Sequence, residues 1–240
     1  MKSQITSDQV ADSKWKSLYK AGGAGALIVG TLLLVEMIAY IATSAPSLAD
    51  ATGWFSFFHK NRFIGLVDFG ILELYALVLF VPMFLALYAA LRRANESYMA
   101  IAAILAFVGI AVNFATCKLF SLLTLSDLYA AASTEAMKSQ FLAAGRATLA
   151  VGALGGICGS VEGGIPLAVS GVIISIIMLR SNILGKVVGY VGILANGIGL
   201  VMYFNAALAP AMAGSPFFGV FFLLSVIWFI LIGRKLLQLN

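Results

Sequence analysis

The sequence is short of charge and almost without histidine. Asp, Glu, Lys and Arg together make up 10% of its 240 residues, against roughly a quarter in a soluble domain. A chain so poor in charge cannot cover itself with a water-compatible surface, which excludes an ordinary soluble domain. The single histidine, His59, falls between apolar stretches. One imidazole excludes bis-histidine haem, an HExxH zinc site and multi-histidine iron or copper sites within the chain. His59 reads as an interfacial side chain.

Other absences narrow the chemistry further. No GxSxG elbow occurs, so serine hydrolysis would have to rely on His59 alone. Neither GxxxxGK[ST] nor GxGxxG follows a strand, which removes the common phosphate-binding loops. There is no voltage-sensor arginine series and no TVGYG filter. Neither a cofactor nor a metal is expected. The two cysteines, Cys117 and Cys158, form no CxxC and sit in apolar or glycine-rich surroundings. They read as small apolar residues, with a disulfide or a thiol nucleophile as the minor alternative. The net charge is +5, but no basic run is interleaved with aromatics, and the cations stand at the ends of apolar stretches. That placement excludes nucleic acid as a partner and makes the lipid bilayer the first one.

What is present is long apolar sequence, 62% hydrophobic by residue. About twenty mainly apolar residues cross the hydrocarbon core as a helix, and the need to satisfy every backbone group excludes open strands there. Six spans are expected, at about 21–44, 63–91, 98–124, 163–180, 184–209 and 216–238. The fold class is thus an all-α, polytopic transmembrane bundle, one membrane domain over residues 1–240. The first span exceeds the ~7–15 residues of a signal-peptide core and reads as uncleaved. Residues 1–20 form a cytoplasmic N-terminus whose part from Gln9 to Lys20 suits an amphipathic surface helix. Residues 46–62 mix Trp54, Phe55, Phe57 and Phe58 with His59, Lys60 and Arg62, as a headgroup boundary would. Residues 125–162 begin polar and end in GALGGICGSVEGG, which suggests an interfacial or re-entrant helix between spans 3 and 4.

Orientation follows from the positive-inside rule. With the N-terminus inside, the inner face collects Lys2, Lys14, Lys16, Lys20, Arg92, Arg93, Arg180, Lys186, Arg234 and Lys235, ten of the fifteen basic residues. Both termini are therefore expected to be cytoplasmic, in the cell membrane. A seventh span at 141–159 would move four of these charges outside and is rejected. Gly155, Gly159 and Gly163 form one small-residue row and Gly185 and Gly189 another, spacing that lets helix backbones approach closely. No internal repeat is evident.

Charged residues within spans cost about 2.5–3.5 kcal/mol each, so each needs a reason. Glu36 lies in the first span, Asp68 and Glu73 in the second, and Lys118 in the third; Asn113, Asn196 and Asn205 add amides. Measured from the 92–97 turn at about 1.5 Å per residue, Glu73 and Lys118 reach nearly equal height. They are natural ion-pair partners, structural or functional. Pro82, inside the second span, removes one backbone hydrogen bond and is expected to kink the helix. The expected site is an outward-facing polar pocket of Glu36, Asp68, Glu73, Asn113 and Lys118. For Asn113 and Asn196 the leading reading is hydrogen-bonding glue between helices.

A basic N-terminus, an early helix with an acidic residue, a second helix ending in LYAALRR (Leu87 to Arg93), and a central surface helix followed by a helix ending near MLRSNILGK (Met178 to Lys186) together resemble an uncharacterised family of bacterial and archaeal six-helix membrane proteins. The resemblance covers about residues 15–238. It implies six helices and carries no activity and no catalytic residues.

The leading expectation is binding, and transport, of a small or amphipathic ligand such as a lipid or quinone, with carboxylates that take up protons. One rival is an accessory subunit that holds a membrane-protein partner or a second copy of itself. The other is an enzyme acting on a lipid, with a carboxylate as general base; binding ranks ahead of catalysis, and no catalytic residue is assigned.

Overall fold

A computed structural model describes residues 13–47, 50–150, 161–181, 183–208 and 217–239. Among these residues the chain is helical with no strand. The helices are α1 (Lys16–Thr43), α2 (Ala51–Lys60), α3 (Arg62–Asp68), α4 (Ile71–Leu91), α5 (Glu96–Thr116), α6 (Leu119–Ala131), α7 (Glu135–Ala150), α8 (Val161–Ser181), α9 (Lys186–Leu208) and α10 (Phe217–Gln238). Six stretches are long and apolar enough to cross a membrane: α1, α4, α5 continued by α6, α8, α9 and α10.

Local chemistry explains many of the boundaries. Asp50, Asn61, Asn95 and Thr134 each accept a hydrogen bond from a backbone N–H three residues on, at 2.8, 3.1, 3.2 and 3.2 Å. These caps satisfy donors that the first turn of a helix leaves open. Where the second span was expected to run unbroken from 63, the chain divides at Phe69 and Gly70. Gly70 takes φ +97°, a left-handed turn that glycine adopts without steric cost. The expected third span also divides: α5 stops at Thr116, and Cys117 takes an extended conformation before α6 begins. Hydropathy continues through both breaks, so composition alone does not reveal them. The first helix starts at Lys16 rather than 21, and Ser13–Trp15 is a single 3-10 turn ahead of it. Residues 1–12 lie outside the described residues, so the surface-helix expectation bears on them only in part.

The six spans close into a ring in the order α1, α4, α5, α8, α9, α10 and back to α1, with α4 also touching α8. Close approach along this ring is made by small residues. A Cβ on Gly22 would stand 2.4 Å from Ala86 Cβ and 2.7 Å from the Pro82 carbonyl oxygen, and one on Gly109 would stand 2.7 Å from the Gly163 carbonyl oxygen. Neither helix pair could sit so close with a larger side chain in place. The outer surface is apolar, with Ile41 72%, Val187 67% and Ile104 62% exposed, the arrangement expected where lipid is the solvent. Gly155 and Gly159 of the first glycine row lie outside the described residues. In the second row, Gly189 packs on Leu179 and the Ser175 carbonyl, whereas Gly185 forms the left-handed turn (φ +88°) before α9.

The two ends of the ring differ. One gathers the start of α1, the α4–α5 turn, the α8–α9 turn and the end of α10. There the Arg92 guanidinium lies over the Trp15 ring, 5.5 Å from its centroid, and Lys235 approaches Gly185. The other end carries a helical cap. Its α2 packs on α3, α6 and α7, while α3 rests on α1 and α4. Trp54, Phe55, Phe58 and Phe69 are buried within it, and the Trp54 and Phe69 rings meet edge to face with centroids 4.6 Å apart. Arg62 pairs with both carboxylate oxygens of Asp127 at 3.0 Å, and Ser126 Oγ donates to the Phe55 carbonyl at 3.2 Å. The residues expected at a headgroup boundary and those of the 125–150 segment thus form one layer over one end of the ring.

Candidate functional site

Beneath the cap, Glu36 lies within electrostatic reach of two further carboxylates from two other elements. Glu36 lies two turns from the end of α1, Asp68 ends α3, and Glu73 stands in the first turn of α4. Glu36 feels the charges of both Glu73 and Asp68. From across the ring, Tyr203 of α9 comes within electrostatic reach of Glu73. The short turn at Phe69–Gly70 brings Asp68 and Glu73 to the same end of the bundle: it ends α3 at Asp68 and starts α4 at Ile71, leaving the two acids five residues apart. Glu73 also gains from the positive end of the α4 dipole, which favours a carboxylate in the first turn.

Two of these acids are poorly satisfied. Asp68 is 5% exposed. Its Oδ2 accepts from the Thr43 hydroxyl, while its Oδ1 is buried with no hydrogen-bond partner. Glu36 Oε2 is likewise buried and unpartnered. Leaving a buried polar atom without a partner costs about 1–3 kcal/mol, and more when it is charged.

The other two expected members lie elsewhere. Lys118 caps the start of α6 and its acidic neighbour is Glu162, at the start of α8, instead of Glu73. The ion pair inferred from equal height is not formed among the described residues: α5 ends before Lys118, whose charged neighbour is Glu162 on α8. Asn113, 3% exposed, packs its carboxamide against Gly163 at the α5–α8 contact, the position of an interhelical tie. Asn196 donates to the Gly192 carbonyl at 2.8 Å and abuts Gly171. Asn205 is exposed. His59 is exposed on α2, and Pro82 sits inside α4, its carbonyl facing Gly22.

Three residues went unnoticed in the sequence: Thr43, Tyr203 and Glu162. A hydroxyl near the end of span 1 and a phenol on α9 at the depth of Glu73 were the available signals for the first two. Cys117 is disulfide-bonded, which corrects its reading as a plain small apolar residue. The chain's other cysteine, Cys158, lies outside the described residues. Two further buried atoms, Ser175 Oγ and Trp228 Nε1, lack partners; both face Gly192 and neither carries charge.

No family model, no curated protein and no solved structure matches this chain. Its functional reading rests on its own residues.

Proposed function

We propose that this is a multi-pass protein of the cell membrane, with both termini cytoplasmic. In this reading it binds a small or amphipathic ligand at the Glu36–Asp68–Glu73 cluster and passes it across the membrane. The observation that carries the reading is a convergence of three carboxylates in the cap-side half of the ring, with two buried oxygens unpartnered. Uncompensated acids are expensive inside a bilayer and mark ligand or proton pathways. Their charge must be met by a proton or by a bound group, and exchange between the two is the elementary step of proton-linked binding.

Two independent features support the orientation. The end formed by Arg92, Arg93, Arg180, Lys186, Arg234 and Lys235 is the basic one, as a cytoplasmic face is. At the opposite end Cys117 follows the last turn of α5 and is disulfide-bonded, which suits an oxidising compartment outside the cytoplasm. The cap and the acids then face outward.

The test is native mass spectrometry of protein extracted gently from its own membrane. The expected result is a retained small molecule or lipid that is lost in a folded Glu73→Gln variant. A mass equal to the bare chain, in wild type and variant alike, would sink the proposal.

A further inference from the structure

The three acids have no cation of their own among the described residues. The cap side carries five basic side chains. Arg62 is committed to Asp127, Lys138 to Glu135 at 3.0 Å, and Lys118 lies beside Glu162. Lys60 and Arg146 are exposed on the cap. The next cations, Arg92 and Arg93, lie at the far end of α4, about nineteen residues or ~28 Å from Glu73. Facing the cluster are Thr43 of α1, which donates to Asp68, and Tyr203 of α9. Neither brings a positive charge. A cluster of like charges with buried acceptor atoms and no counter-charge is incomplete.

We infer that the group which completes the Glu36–Asp68–Glu73 cluster is an organic cation, a protonated amine or quaternary ammonium on an apolar body. Carboxylate oxygens are acceptors only, so the unpartnered Asp68 Oδ1 and Glu36 Oε2 call for a donor or a positive charge, not for an anion. A bare metal ion fits less well: among the described residues no three His, Cys, Asp or Glu side chains are arranged to hold one. Beside the acids, α1 and α4 expose Val35, Ile38 and Tyr75, an apolar surface for the rest of such a molecule. The inference rests on the binding reading above and adds the sign of the ligand's charge. Charge balance then fixes the exchange: each cation that enters replaces one proton held by the cluster.

The experiment uses the full chain in nanodiscs of phosphatidylcholine, with three probes of one chain length: dodecyltrimethylammonium, dodecanol and dodecanoate. Dodecyltrimethylammonium should bind saturably and release protons into a weakly buffered medium. Its affinity should fall about tenfold or more in a Glu36→Gln, Glu73→Gln double variant, and also in Asp68→Asn. Proton release is read on the wild type, so it decides the matter even if a variant does not fold. Saturable binding of dodecanol or dodecanoate instead, lost in the same variants, would leave the binding reading standing and overturn the cation. Failure of all three probes to saturate the wild type would overturn both.

Discussion

Two polar regions of this bundle are built on opposite terms. Along the α5–α8–α9 seam the buried polar side chains are neutral and short, and most have a backbone partner. Ser170 Oγ donates to the Ala102 carbonyl at 2.7 Å, Asn196 to Gly192, and Asn113 lies on Gly163. Beneath the cap, between α1, α3 and α4, the polar side chains are acids with unpartnered buried oxygens. The first region holds helices together at little electrostatic cost. The second imposes a cost that packing does not explain, and a cost of that kind is what a binding site retains.

The comparison can be broken at four points, in order of expected effect. Gly109→Leu strikes the neutral seam where its new Cβ would meet backbone, 2.7 Å from the Gly163 carbonyl oxygen and 3.1 Å from the Leu167 nitrogen. Backbone cannot yield as a side chain does, so a loss of about 3 kcal/mol is expected, seen as failed assembly or a much lower unfolding temperature in detergent. Neutralising the acids should act in the opposite direction. The Glu36→Gln, Glu73→Gln double variant is expected to gain about 1 kcal/mol in the absence of ligand, because neutral amides remove the desolvation and mutual repulsion that the acids must otherwise relieve by taking up protons. That gain corresponds to a rise of about 2–4 °C, with ligand retention lost.

Hydropathy made the spans and the depth of their polar residues legible, and little beyond that. Glu36, Asp68 and Glu73 were selected because charge in a span is rare, and the same rule selected Lys118. Depth along a helix does not say which way a side chain faces, nor which helices are neighbours in a ring. The equal height of Glu73 and Lys118 therefore implied a pair, while the break at Cys117 and the ring order put Glu36 beside Glu73 and Glu162 beside Lys118. The turn at Gly70 was equally hidden, since one glycine within an apolar run does not announce a left-handed conformation.

Two smaller changes sharpen the contrast. Ser170→Ala removes one hydrogen bond between α8 and α5 and should cost about 0.5–1 kcal/mol with ligand binding intact, measured by thermal unfolding beside a retention assay. Arg62→Ala breaks an ion pair whose side chains are 57% and 53% exposed. Its expected cost is about 0.2–1 kcal/mol, smaller at high salt. A large loss of stability there would mean that the cap is held by this pair and not by its aromatic core.

The central claim, that the acids under the cap serve a ligand and not the fold, is tested most directly by the unfolding temperature of the ligand-free Glu36→Gln, Glu73→Gln variant. The account predicts a midpoint at or above that of the ligand-free wild type. A clear fall below it would show that the carboxylates hold the helices together, and the contrast between the two regions would disappear.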